Sequence, residues 1–165
     1  MPEQVNSDYQ VSSEGAVRHW EIPYARLSDV TPTVSNPAKV TCDTAGNELC
    51  GTILSVDAGD SVAVIDFTAG MVYWQEVRNV LTYAGAVENT WGPINIGDEI
   101  YYDDSATMPA GVYLSTSPLN NVGTANPLFG RAVPRDDTDM ALFPKGAALV
   151  ASTQDVAVMQ RGAGA

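Results

Sequence analysis

The chain is poor in the residue types that most often carry chemistry. It has one histidine, His19, and two cysteines, Cys42 and Cys50, in 165 residues. General acid–base work most often uses histidine, and nucleophile activation usually needs a base beside the nucleophile. A Ser-His-Asp or Cys-His site would have to use His19, which sits beside Trp20 in a stretch without regular period. A solvated or packed ring is the simpler reading. Two cysteines are too few for a disulfide scaffold. Seven residues separate them, which does not match a zinc knuckle, and no second pair exists. They read as small apolar residues in a reduced compartment, with a cross-strand disulfide formed after release as the alternative.

Basic residues are scarce too. There are 8 Lys and Arg against 20 Asp and Glu, a net charge of −12. Such a surface repels phosphate backbones and anionic lipid headgroups, so neither nucleic acid nor membrane is an expected partner. No apolar run approaches the roughly 18–20 residues of a membrane-crossing helix. Met1 to Asn6 has neither the basic nor the apolar region of a secretory signal. The expectation is a protein made and kept in a cytoplasm, leaving it by lysis or an unrecognised route.

Phosphate loops are missing as well, because Gly92, Gly97 and Gly111 are too scattered for a nucleotide-binding fingerprint. Carboxylates gather at Asp57 with Asp60, at Asp103-Asp104, and at Asp136-Asp137-Asp139. Carboxylate groups of this kind bind calcium or act as acid and base in glycosidases. The third run lacks the closing Glu of an EF-hand loop, and in so acidic a chain all three read as solvated turn residues. No catalytic residue, metal ligand or cofactor is expected.

What is present is a hydrophobic content of 45% and a strand-and-turn syntax. A chain of this length buries roughly 68–70% of its unfolded surface, so one cored domain is expected. From Ala38 onward short apolar or alternating runs recur: Ala38–Cys42, Leu49–Val56, Ser61–Phe67, Met71–Val77, Glu99–Tyr102, Gly111–Leu114, Leu128–Val133 and Asp155–Gln160. Gly, Asp and Asn fall between them. That spacing predicts an all-β fold, a small β-barrel or β-sandwich with long loops and little helix. One or two helical turns at Lys145–Ala151 are weakened by Gly146. Trp91 anchors an expected loop, and residues Ser115 to Pro127 form another that projects.

Residues 1–37 differ from the rest. They hold Pro2, Pro23, Pro32 and Pro37 and no sustained period, so they read as an extended N-terminal arm before a β domain of 38–165. Trp20, Ile22, Tyr24 and Leu27 are too apolar for an inert tail. Two readings stand side by side: an arm that docks on a neighbouring subunit or partner, and a strand that folds back on its own core. Gly59-Asp60 and Gly97-Asp98 each precede a strand, and are expected to form tight turns with a positive φ at Gly and the Asp carboxylate on nearby amides. Tyr73, Trp74, Tyr101, Tyr102 and Tyr113 would make either a platform for sugars or bases, or core.

The order of five pieces resembles a known family. They are Ala58-Gly59-Asp60-Ser61-Val62-Ala63-Val64, Ala69-Gly70-Met71-Val72, Ile96-Gly97-Asp98-Glu99-Ile100-Tyr101-Tyr102-Asp103, Pro127-Leu128-Phe129-Gly130-Arg131-Ala132-Val133 and Asp155-Val156-Ala157-Val158-Met159. This succession resembles the small capsid decoration, or cement, proteins of tailed bacteriophages, over roughly residues 45–160. The resemblance assigns Gly59, Asp60, Gly70, Gly97, Asp98 and Gly130 to the family's turn motifs. It implies a structural, non-catalytic virion protein on the outer surface of an expanded head, met first in the host cytoplasm during assembly. Its partners would be the major capsid protein and itself, as a homotrimer or else a dimer or monomer. On that view the arm residues Trp20, Ile22, Tyr24 and Leu27 contact the capsid or a neighbouring subunit, and Arg18 and Arg26 supply salt-sensitive contacts to an acidic shell. The competing readings are another phage part, from the tail or the head–tail joint, a carbohydrate-binding β-sandwich, and a small hydrolase built on an Asp pair.

Overall fold

The computed structural model describes residues 17–29, 31–42, 47–80, 83–84, 87–88, 94–134 and 153–162. They form an all-β fold. The strands are β1 (His19–Pro23), β2 (Pro37–Thr41), β3 (Glu48–Asp57), β4 (Val62–Asp66), β5 (Val72–Arg78), β6 (Tyr83–Ala84), β7 (Val87–Glu88), β8 (Glu99–Tyr102), β9 (Leu114–Ser115), β10 (Leu128–Ala132) and β11 (Thr153–Gln160). A single 3-10 turn, Tyr24–Arg26, is the only helical element among the described residues.

Five strands close into a barrel in the order β10-β11-β5-β9-β8. Its pairs are antiparallel except β5 with β9. Alternation explains which side faces in. Along β5, Val72, Trp74 and Glu76 are exposed while Gln75 and Val77 are buried. The barrel is filled by Val77, Ile94, Ile100, Tyr102, Leu114, Phe129, Ala132, Val156 and Val158. Closure leaves this sheet no free edge to pair with other chains.

Four further strands form an antiparallel sheet in the order β1-β4-β3-β2. It carries a second core of Leu27, Ala38, Val40, Ile53, Ala63, Ile65 and Phe67. Burying each large aliphatic or aromatic side chain of this kind stabilises by about 1.5–3 kcal/mol relative to leaving it in water.

Within the segment expected to be an extended arm, residues 17–29 take the second of its two readings. β1 pairs with β4 from His19↔Asp66 to Pro23↔Val62. The 3-10 turn then carries the chain to the opposite edge, where Leu27 bridges to Val40 and the Ser28 N–H donates to the Lys39 carbonyl at 3.1 Å. The sheet thus curls around its own core, with Ile22 and Tyr24 packed against it. The physical reason is the unsatisfied outer edge of β4: its backbone groups need partners, and His19–Pro23 supplies them.

One more expectation changes. The strand expected at Gly111–Leu114 is reduced to Leu114–Ser115, because Gly111 turns at φ +81° and the Val112 N–H donates back to the Pro109 carbonyl. The loop after β9 is braced from within, by a Leu119–Ala125 bridge and by the Asn126 Nδ2 on the Ser117 carbonyl at 3.0 Å, with Val122 76% exposed at its tip. Trp91, the Asp136-Asp137-Asp139 run and Lys145–Ala151 lie outside the described residues.

Candidate functional site

The six residues expected to make outside contacts are divided by the fold. Leu27 is buried, and Ile22 and Tyr24 are half-buried against the sheet core. The Arg26 Nη1 donates to the carbonyls of Thr41 and Cys42, at 3.2 and 2.7 Å, and so fastens the end of β2. Arg18 meets the turn after β4 through its backbone: its N–H donates to Thr68 Oγ1 and its carbonyl accepts from the Phe67 N–H. Trp20 is the anchor that remains outward. Its ring lies 5.1 Å from that of Phe67, centroid to centroid, and it stays 42% exposed.

The expected turn residues also divide. At Gly97 the expected device is present: φ is +92°, and Asp98 Oδ2 accepts from the Asn95 N–H at 2.7 Å. Gly70 turns at φ +85°, with its N–H on the Gln160 carbonyl. At Gly59-Asp60 the expectation is corrected. The positive φ belongs to Ser61, and the capping carboxylate is that of Asp57, which accepts from the N–H groups of Gly59 and Asp60 at 2.9 and 3.2 Å. An Asp two residues before an amide closes such a turn without help from the next one. Gly130 lies in no turn at all. It is buried inside β10.

A polar junction between the sheet and the barrel is the feature that sequence reasoning misses. Asp66 is fully buried at the end of β4. Its Oδ1 accepts from the Thr68 N–H at 2.9 Å and lies 3.5 Å from His19 Nε2. Its Oδ2 accepts from the Tyr73 hydroxyl on β5. Beside it, the Gln160 Nε2 on β11 donates to the carbonyls of Asp66 and Thr68, at 3.0 and 2.9 Å, while its Oε1 accepts from Thr52 Oγ1 at 3.0 Å. A buried polar group needs this many partners to offset its lost hydration. The only signal in the sequence is an Asp closing an apolar strand, which is weak.

The acidic clusters resolve differently as well. Asp103, expected in solvent, is buried, and its carboxylate accepts from Ser105 N–H, Ser105 Oγ and Ser115 Oγ. Asp104 is exposed and meets Lys39 Nζ at 3.1 Å; Lys39 also meets Glu48 at 3.2 Å and lies over the Tyr102 ring. Burial works to lower the Lys39 pKa, but the bonds to Asp104 and Glu48 overcome it and leave the pKa raised. Burial likewise works to raise the Asp104 pKa, and the nearby Lys39 ammonium leaves it lowered. Next to this pair runs an open groove of about 520 Å³ between Ser28, Asp29 and Thr31 on one side and residues of the stretch Tyr102–Tyr113 on the other, where the Tyr113 hydroxyl donates to Asp29 Oδ2 at 2.8 Å. Among the expected aromatic platform, Tyr102 is core and stacks on Tyr113, the Tyr73 hydroxyl serves Asp66, and the Tyr101 hydroxyl serves Glu99. Trp74 stands exposed on its strand.

Cys42 and Cys50 are unpaired thiols. Burial, with the nearby Glu48 carboxylate, pushes the Cys50 thiol from its ordinary 9.0 to about 12. Burial and the bond to Asp29 push Tyr113 from 10.0 to about 12. Both groups bind their protons more tightly in the folded state, so the stability they confer is complete below the ordinary values. It is lost as pH rises through the folded ones. Urea unfolding is therefore expected to show stability falling above about pH 9. By about pH 11 the Cys50 part alone is on the order of 2 kcal/mol. Cys50→Ala is expected to flatten that part of the slope, and a wild-type profile level from about pH 8 to 11 would contradict the assignment.

Among the described residues no group of three or more His, Cys, Asp or Glu side chains is placed to hold a metal ion. Nor is any helix there long and apolar enough to cross a membrane. What the arrangement offers is surface: an indole on the edge strand of the sheet, another on the outer face of the barrel, and buried polar bonds that hold sheet and barrel together. Comparison with protein-family models, with curated proteins and with solved structures finds no match for the chain.

Proposed function

We propose that this chain is a structural virion protein, a decoration protein that binds the outer surface of an expanded phage capsid and clamps neighbouring capsomers. One observation carries the reading. The pieces of sequence on which the family resemblance rests are far apart in the chain, yet β5, β8, β10 and β11 are all members of one closed barrel, and β4 leads directly into β5. Short glycine motifs kept in that order are what one shared fold would leave behind.

The physics of the role follows from the surface. A net charge of −12 keeps the protein off packaged and host nucleic acid. Binding the expanded lattice and not the unexpanded one stabilises the former by mass action. Symmetric repetition multiplies a modest contact through avidity. The partner is the major capsid protein, and a second partner is the chain itself, as a homotrimer in the family's commonest form.

Purified undecorated heads test this. Expanded heads are expected to take up hundreds of copies, counted by microscopy, and unexpanded heads few. Equal uptake by both, or a handful of copies per particle, overturns the reading. The fold also decides how residues 1–37 are probed. Removing residues 1–27 would strip β1 and Leu27 from the sheet, so Trp20→Ala is the informative change. It is expected to lower occupancy several-fold, and undiminished binding removes Trp20 from the contact.

A further inference from the structure

The outer face of the β5–β11 ribbon is a ladder of side chains with one chemical direction. Its rungs are Met159↔Val72, Ala157↔Trp74 and Asp155↔Glu76. Residues directly opposite in an antiparallel pair share a face, as do residues two apart on one strand. Val72 is 49% exposed, Trp74 56% and Met159 39%. Small Ala157 faces Trp74 and is itself buried, so the large side chains around it form the surface of the ribbon. A strip of three large apolar side chains in water usually marks a contact.

The two ends of the strip differ in charge. At one end Arg131 lies opposite Met159, but Glu99 at 3.2 Å and the Gly97 carbonyl at 3.0 Å already answer its guanidinium. At the other end Glu76 and Asp155, both exposed, lie directly opposite each other. Like charges so placed destabilise a strand pair. Thr153 Oγ1 donates to Glu76 at 3.2 Å, and Arg78 follows Glu76 along the strand.

We propose that this face docks a partner protein whose own surface pairs an apolar strip with Lys or Arg side chains. This rests on the function proposed above, under which that partner is the capsid shell. Charge complementarity selects the occupant. A basic side chain entering beside Trp74 would meet two carboxylates and the face of an indole at once. A second copy docked by this same face would bring a further Glu76 and Asp155 pair in place of the cation that this end calls for. Trp74 is the anchor at the centre, and Met159 adapts to the partner's relief.

The test uses the full chain on expanded undecorated heads. Trp74→Ala is expected to weaken binding about 30-fold, the size of a hot-spot loss. Glu76→Gln with Asp155→Asn is expected to weaken it about tenfold and to flatten its salt dependence. The thermal midpoint of that double variant should be unchanged or higher, since it relieves repulsion in the free protein. Variants that bind like wild type overturn this proposal and leave the decoration reading standing. A wild type that does not bind takes both down. Light scattering of the free protein covers the remaining case: if Trp74→Ala dissociates an oligomer, the occupant is a second copy and the proposal fails.

Discussion

Gly130→Ala is expected to be the most damaging single-methyl change in the barrel. A Cβ at position 130 would lie 2.1 Å from the Met159 carbonyl oxygen, 2.9 Å from its carbon and 3.0 Å from the Gln160 Cα. All three are backbone atoms of β11, so no rotamer change relieves the clash. The strands would have to separate, and the ring resists. β10 is held on its other side by β8, with a register shift between Leu128 and Gly130, and β11 is held along its length by β5. A glycine inside a strand at such a shift marks a close backbone approach. The expected cost is about 3 kcal/mol, the upper range for overpacking. For a domain of this size that lowers the melting temperature by roughly 6–12 °C.

Gly70→Ala is the control that separates sterics from backbone preference. Gly70 has a positive φ of +85°, and nothing lies within 4 Å of the place a Cβ would take. Its substitution costs only the left-handed conformation, about 1–2 kcal/mol. Thermal melts of both variants should therefore rank Gly130→Ala clearly below Gly70→Ala. The reverse order, or a Gly130→Ala within about 1 kcal/mol of wild type, would mean that β10 and β11 do not approach this closely.

The same two glycines show what is legible in a sequence and what is not. Gly70, between two strand-like runs, announces a turn because only local geometry is involved. Gly130 looks alike in sequence, yet its constraint comes from Met159, a strand away, and no local pattern reveals it. Short apolar or alternating runs between turn residues locate β2, β3, β4, β5, β8, β10 and β11, because a strand that meets a core must be apolar on at least one face. β1 escapes. Its sequence, His19-Trp20-Glu21-Ile22-Pro23, lies at a sheet edge with only Ile22 half-buried, so burial imposes no alternation to read. Buried Asp66, Asp103 and Gln160 escape for a related reason. Thr52 and Gln160 are 108 residues apart, and the composition of either neighbourhood gives no hint of the other. The outer strip is half visible: Trp74 is conspicuous as an aromatic, but its partners on β11 require the register.

Asp66→Ala is expected to cost about 2–5 kcal/mol, the range for leaving two hydrogen-bond donors unpaired. The loss comes from orphaned partners. The substitution leaves the buried Thr68 N–H and the half-buried Tyr73 hydroxyl without acceptors. It also removes the carboxylate beside His19, whose strand is held to β4 at that rung. Asp66→Asn keeps the shape and one acceptor but offers an amide where the Tyr73 hydroxyl donates, so it should fall between wild type and alanine. Tyr73→Phe should cost about 1–3 kcal/mol, because it leaves a buried carboxylate one donor short. The decisive measurement is the double variant, Asp66→Asn with Tyr73→Phe. If the two side chains act as one bonded unit, the combined loss will be smaller than the sum by at least about 0.5 kcal/mol. Strict additivity would show that the contact between β4 and β5 is geometric proximity without energy. Coupling has a consequence for function as well. Trp20 lies on the sheet and Trp74 on the barrel, and this junction holds the two at a fixed separation. If the proposed capsid attachment through both indoles holds, loosening it should weaken attachment to heads beyond what the loss of folded protein explains, because two anchors then have to be reordered at the moment of binding.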